Sequence, residues 1–229
     1  MKLRAAFVHF LTAFGLIPIL LSVEALWRGD AYATLLWLAV AVLIDGLDGP
    51  LARRFEVDKY WPDIDGAILD HIIDYLSYCF IPALMVLRFE LLPVGWEMAG
   101  AILISVASLY TFANKRTKTD ENDFRGFPAL WNLVVFYMLI TQSTQETNLL
   151  VVIILSALIF APIRVLHPVR VVDGRRFTLP LVGLWLVFIF AYLIRAEAGL
   201  PTSLDWIFGL LSVVLAGLNL WRSVRFAGK

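Results

Sequence analysis

Long apolar runs recur along the whole chain and restrict its possible folds more than any other feature of the sequence. A helix that crosses a lipid bilayer needs about 20 mostly apolar residues, and eight segments approach that length. They are residues 5–26, 32–53, 69–89, 96–112, 129–142, 149–163, 179–194 and 204–224. The pattern predicts an all-α integral membrane protein with about eight transmembrane helices, organised as a single polytopic domain over residues 1–229.

The composition supports a membrane protein and excludes one class of partner. Hydrophobic residues make up 60% of the chain and charged residues only 17%, whereas a soluble domain carries about 25% charged residues. The 19 basic and 19 acidic residues give a formal net charge of zero. A nucleic-acid-binding protein normally has a basic excess, so no nucleic-acid partner is expected.

The basic residues are sorted between the two sides of the predicted bundle. With eight helices, only Arg28, Arg88 and Arg195 fall on one side, and the other 16 of the 19 basic residues fall on the opposite side. Because cytoplasmic loops carry such an excess, both termini are predicted to be cytoplasmic.

Acidic residues concentrate in the window 45–74, which holds eight of the 19. Asp45, Asp48, Asp70 and Asp74 lie within or against predicted spanning helices, where a carboxylate is costly and marks a functional site. Steps of three or four residues place each pair on one helix face, at the cytoplasmic end. The four carboxylates can therefore share one pocket, and such an all-oxygen ligand set suits Mg²⁺ or Mn²⁺.

Small residues and an arginine continue these two faces. Gly49 and Ala52 follow the first acidic pair and Gly66 precedes the second, so little side-chain bulk keeps a ligand from the backbone. Arg53 adds a planar donor suited to phosphate. Together these residues predict metal-assisted phosphoryl transfer, with cations bridging a diphosphate.

The same residues resemble a known family signature. The chain reads D-G-L-D-G-P-L-A-R, then twelve residues, then G-A-I-L-D-H-I-I-D over residues 45–74. This is similar to the CDP-alcohol phosphatidyltransferase pattern, D-x-x-D-G-x-x-A-R followed by G-x-x-x-D-x-x-x-D. Most members have eight residues between the two halves, so the gap of twelve is a departure.

The longer gap, with Gly46 after the first aspartate, resembles the bacterial phosphatidylcholine synthase branch of this family. The stretches I-I-D-Y-L-S-Y-C-F-I-P-A at 72–83 and F-R-G-F-P-A-L-W-N at 124–132 do so as well. The resemblance implies transfer of the phosphatidyl group of CDP-diacylglycerol to choline, with release of CMP. It also implies a homodimer in the bacterial inner membrane with a cytoplasmic active site.

The resemblance further implies roles for individual residues. Two divalent ions, Mn²⁺ or Mg²⁺, would be held by the four motif aspartates, and Asp74 would also act as the catalytic base. The nucleotide and its diphosphate would be bound by Gly49, Ala52, Arg53 and Gly66.

Choline recognition is expected to use aromatic faces, because its quaternary nitrogen offers no hydrogen-bond donor. The candidates are Tyr78, which follows Asp74 by four residues, and Tyr75, Trp131 and Asn132. Ordinary packing or an interfacial aromatic belt would also account for each aromatic residue.

Two alternatives to choline transfer stay open from the sequence. The acceptor could be another alcohol, such as serine, inositol or glycerol phosphate, or diacylglycerol receiving a group from CDP-choline. A cation-coupled transporter is a second alternative, since intramembrane acids also mark ion pathways. The acids cluster at one membrane face and no inverted repeat is present, which argues against a transporter.

Overall fold

The computed structural model describes residues 2–114, 124–165, 175–195 and 202–226, and these ranges are almost wholly helical. The helices are α1 Lys2–Phe14, α2 Leu16–Arg28, α3 Ala31–Arg54, α4 Val57–Tyr60, α5 Gly66–Tyr75, α6 Ile81–Arg88, α7 Glu97–Ala113, α8 Trp131–Thr141, α9 Gln145–Leu158, α10 Arg175–Ile194 and α11 Thr202–Phe226. A π-helical segment, Leu76–Phe80, joins α5 to α6. Two-residue strands, β1 Phe124–Arg125 and β2 Arg164–Val165, pair antiparallel.

Three helical stretches are long and apolar enough to cross a membrane: Ala6–Arg28, Ala31–Arg54 and Gly66–Arg88. Five shorter apolar helices follow along the described parts of the chain: Glu97–Ala113, Trp131–Thr141, Gln145–Leu158, Thr178–Ile194 and Asp205–Leu218. Their order matches the eight predicted segments. The prediction of an all-α membrane protein is confirmed.

The sixth predicted segment, 149–163, is displaced toward the N-terminus. Helix α9 begins at Gln145, because the Thr144 hydroxyl accepts a hydrogen bond from the Thr147 N–H and caps the helix. The helix ends at Leu158, since Arg164 and its neighbour pair with the β1 strand. Residues 159–163 therefore form a connection, and the prediction of helix there was wrong.

A local break at Gly15 separates α1 from α2. Pro18 lacks the N–H that would bond to the carbonyl four residues earlier, and the Gly15 N–H bonds to the Thr12 carbonyl at 2.9 Å. A β-carbon at Gly15 would lie 3.2 Å from Cγ2 of Ile73 on α5. The missing side chain thus permits the close approach of the first helical stretch to α5.

Buried apolar side chains form the interior of the bundle, while many large apolar side chains on its helices are exposed. Met85, Val86, Ile104, Trp131 and Val152 are fully buried where α6, α7, α8 and α9 meet. The exposed apolar residues include Trp27, Leu47, Ile72, Leu109 and Leu210. An exposed apolar surface of this kind suits a protein surrounded by lipid.

Candidate active site

The acidic residues of the predicted site come from the C-terminal half of α3 and from α5. The start of α5 is fixed by Asp65, whose Oδ1 accepts hydrogen bonds from the Ala67 and Ile68 N–H groups at 3.0 and 3.1 Å. This N-cap fixes the residue at which α5 begins. Asp70 and Asp74, four residues apart, lie on one face of α5.

Three carboxylates meet between the two helices. Asp45, Asp70 and Asp74 each offer one carboxylate oxygen, and these oxygens lie within 4.8 Å of one another. Calcium and magnesium bind such oxygens at about 2.0–2.6 Å, so the three can reach a shared divalent ion. Without a cation, carboxylates this close repel one another. The donor set therefore fits a hard divalent cation.

Asp48 lies beside this group rather than within it. The residue is 5% exposed, and its carboxyl group interacts with the side chain of Thr12 on α1. The charge of Asp70 also acts on Asp48. Of the four predicted carboxylates, the structure brings three together and places Asp48 next to them, on the side of α1.

The small residues of the motif lie where neighbouring groups come close. A β-carbon on Gly49 would lie 3.6 Å from Nη1 of Arg53, whose side chain folds back over that turn of α3. A β-carbon on Gly66 would lie 3.3 Å from Cε1 of His9. Ala52 is half-buried and packs with the apolar contact of α1 and α4.

Tyr78 lies within the π-helical segment that precedes α6, and its side chain reaches the carboxylates. Its hydroxyl donates a hydrogen bond to Oδ2 of Asp45 at 3.2 Å, and the charges of Asp70 and Asp74 also act on it. Pro82, the second residue of α6, has no N–H, so the Tyr78 carbonyl has no α-helical donor there. The wider π turn immediately before it sets the orientation of Tyr78.

The other predicted choline residues have different surroundings. The Tyr75 hydroxyl donates to the Ser105 carbonyl on α7 at 3.1 Å. Trp131 is fully buried, and its indole N–H donates to Oγ of Ser108 at 2.9 Å. The Asn132 side-chain oxygen accepts from the N–H of the next residue at 2.8 Å. Within the described ranges, these groups are engaged by α7 and by the start of α8.

Helix α1 also borders the site, which the sequence analysis did not predict. His9 and Thr12 are both buried on this helix and face the motif helices. Their spacing of three residues on an otherwise apolar helix was a usable signal, because polar residues within spanning segments mark functional sites.

Comparison with known proteins identifies the family of the chain. Residues 6–163 match the model of the CDP-alcohol phosphatidyltransferase family. The chain is 40% identical to a phosphatidylcholine synthase of Pseudomonas aeruginosa, over 98% of this chain and 94% of that protein. It is 36% identical to one of Rhizobium meliloti, over 96% and 89%, and 42% identical to one of Bradyrhizobium diazoefficiens, over 82% and 70%. The chain therefore belongs to the CDP-alcohol phosphatidyltransferase family, as its signature at residues 45–74 predicts.

Proposed function

We propose that this phosphatidyltransferase moves the phosphatidyl group of CDP-diacylglycerol to choline and releases CMP. The observation that carries the chemistry is the meeting of three carboxylates from α3 and α5. The choice of choline is supported by similarity over nearly the whole chain to proteins named phosphatidylcholine synthase.

The metal site is proposed to hold two divalent ions, Mn²⁺ or Mg²⁺. Dependence on divalent metal is a property of the family, and the acidic cluster fits it. Asp45, Asp70 and Asp74 would supply the clustered oxygens, with Asp48 as the fourth ligand. When bound, the ions supply positive charge against the diphosphate and the departing CMP.

Asp74 is proposed to take the proton of the choline hydroxyl. The hydroxyl oxygen then forms a bond to the β-phosphorus, and the bond from that phosphorus to CMP breaks, leaving CMP with the bridging oxygen. A base must lie within hydrogen-bond reach of the proton it removes. Asp74 suits this role because it lies on α5 beside the other acids, at the end nearest the π-helical segment.

Four motif residues are assigned to CDP. Gly49, Ala52 and Gly66 add little side-chain bulk to the parts of α3 and α5 to which we assign the nucleotide. Arg53 is an exposed residue whose Nη1 lies near Gly49, and its guanidinium group suits a diphosphate oxygen.

Tyr78 is the aromatic residue we assign to choline. Its hydroxyl is bonded to Asp45, so its ring lies beside the carboxylates where the acceptor must arrive. A quaternary ammonium group is attracted to an aromatic face. Tyr75, Trp131 and Asn132 stay predictions of the sequence, and their present contacts with α7 and the bundle core favour Tyr78.

The enzyme is proposed to lie in the bacterial inner membrane with both termini and the active site facing the cytoplasm. The sorting of 16 of the 19 basic residues to one side supports this orientation. Assembly as a homodimer is proposed on the family resemblance alone. Light scattering of the detergent-purified protein tests it, and a monomeric mass would contradict it.

The decisive experiment supplies labelled choline and CDP-diacylglycerol to the purified protein with Mn²⁺. Wild type is expected to form labelled phosphatidylcholine and CMP, and Asp74→Asn to form neither. Asp63→Asn is the matched control, because Asp63 lies exposed in the loop before α5 and its substitution should leave the rate unchanged. Absence of labelled product from wild type would refute choline as the acceptor. Serine, inositol and glycerol phosphate in parallel reactions would then identify another alcohol.

A further inference from the structure

Helix α1 forms a third side of the motif region, and contacts from three of its residues establish this. Val8 packs with the cluster around Val57 that includes Ala52. Thr12, one turn further along, interacts with Asp48. Between them, His9 lies against the first residue of α5, Gly66. One face of α1 therefore touches motif residues from both halves of the signature.

The imidazole of His9 is buried on this face. The residue is 8% exposed, and its Nε2 atom has no hydrogen-bond partner among the described residues. Its ring carbon Cε1 would lie 3.3 Å from a β-carbon placed on Gly66. The absence of that β-carbon accommodates the ring.

An unsatisfied buried nitrogen of this kind has a free-energy cost. Leaving a buried polar group without its partner destabilises a protein by about 1–3 kcal/mol. A histidine that only filled space at this position could be replaced by an apolar residue with a gain in stability. The uncompensated nitrogen therefore points to a ligand that supplies the missing hydrogen bond.

We propose that Nε2 of His9 makes a hydrogen bond to the nucleoside part of the bound cytidine diphosphate ester. This inference rests on the proposed function, because it takes Gly66 as part of the nucleotide site. Gly66 precedes Asp70 by four residues, which is about 6 Å along a helix. A rise of this size along α5 is comparable to the length of a phosphate and sugar linkage, and His9 lies against the Gly66 end of it. A nucleoside whose diphosphate lies on the carboxylates can reach His9.

The test measures binding of CDP with Mn²⁺ to the detergent-purified protein by calorimetry, without acceptor or lipid substrate. His9→Phe keeps a ring and removes the nitrogen, and should weaken CDP binding by about three- to tenfold, the effect of one hydrogen bond. His9→Gln keeps a hydrogen-bonding group and should stay within about twofold of wild type. Binding of Mn²⁺ alone and the KM for choline should not change in either variant.

Two controls separate a nucleotide contact from a structural role. His71→Phe makes the same change at an exposed position on α5 and should leave CDP binding unchanged. The Tm of His9→Phe without nucleotide should equal or exceed that of wild type, because an unpartnered polar atom is removed.

Unchanged CDP affinity in His9→Phe would overturn the inference. So would a lowered Tm that His9→Gln does not restore, since the histidine would then be a packing residue. If His9→Phe does not fold, weakened CDP binding in a correctly folded His9→Gln also overturns the inference. A wild-type protein that binds CDP and Mn²⁺ but makes no phosphatidylcholine would refute the proposed acceptor and leave the His9 contact intact.

Discussion

The hydroxyl of Tyr78 donates a 3.2 Å hydrogen bond to Oδ2 of Asp45 and thereby joins the π-helical segment to the acidic face of α3. The bond orients one carboxylate of the cluster and places an aromatic ring beside it. A metal ligand held by a second group keeps its geometry better than an isolated one. Tyr78 can therefore serve both the metal site, through its hydroxyl, and choline, through its ring.

Two substitutions separate these roles of Tyr78. Tyr78→Phe removes the hydroxyl and keeps the ring, so the Mn²⁺ concentration for half-maximal rate should rise by about tenfold, the effect of a hydrogen bond to a charged group. Tyr78→Leu also removes the aromatic face, and only this variant should raise the KM for choline. Initial rates over a grid of Mn²⁺ and choline concentrations measure both quantities. A choline KM that is the same in Tyr78→Leu and Tyr78→Phe would contradict a role for the ring.

The close carboxylates predict opposite effects of Asp70→Asn with and without metal. In a chelating buffer, neutralising Asp70 relieves repulsion from Asp45, so the Tm should rise by about 2–4 °C, roughly 1 kcal/mol for a chain of this size. With saturating Mn²⁺ wild type gains stability from binding, and the variant should gain much less. Thermal unfolding in detergent measures both. Asp63→Asn, with its exposed position, should follow wild type in the two buffers. A variant that loses stability in chelator would show that the cluster is held by other contacts.

The acidic cluster could be predicted because the residues that form it lie close together in the sequence. Asp70 and Asp74 are four residues apart on one helix, and the resemblance joins them to Asp45 across a single loop. The order of the eight apolar helical stretches in the described ranges was equally accessible from the apolar runs. Both depend on periodicity within one segment, which the sequence displays directly.

Contacts between distant segments could not be predicted from the periodicity of one segment. The approach of His9 to Gly66 joins residues far apart in the chain, and no periodicity relates them. Trp131 carries an aromatic ring suited to choline, yet it is fully buried against Ser108. The strand pairing that ends α9 early likewise depends on a distant partner, since Arg164 pairs with Arg125. These features arise from tertiary packing, which overrides local propensity.

Two neighbouring glycines of α3 allow a matched test of the nucleotide site. A β-carbon on Gly46 meets nothing within 4 Å, and one on Gly49 would meet Arg53 at 3.6 Å, an ordinary contact. Alanine should therefore stabilise the helix by about 0.5–1 kcal/mol at either position. Only Gly49→Ala should raise the KM for CDP-diacylglycerol, because it alone fills space beside the arginine assigned to the diphosphate. Equal kinetics in the two variants would remove Gly49 from the proposed nucleotide site.

Substituting alanine for Gly126, just after β1, should cause the largest stability loss among the glycines of the described chain that adopt a positive φ. Its φ is +81°, and a β-carbon would collide with the carbonyl oxygens of Ile159 and Leu158, the latter at 2.9 Å. Gly95 has a similar φ of +88° but nothing within 4 Å of the same position. Gly95→Ala should therefore cost only the backbone strain, about 1–2 kcal/mol, and Gly126→Ala should cost about 1–3 kcal/mol more. Thermal unfolding of the two variants in detergent measures the difference. Equal Tm values would show that the turn after β1 can move away from the end of α9, and that its packing there contributes little to stability.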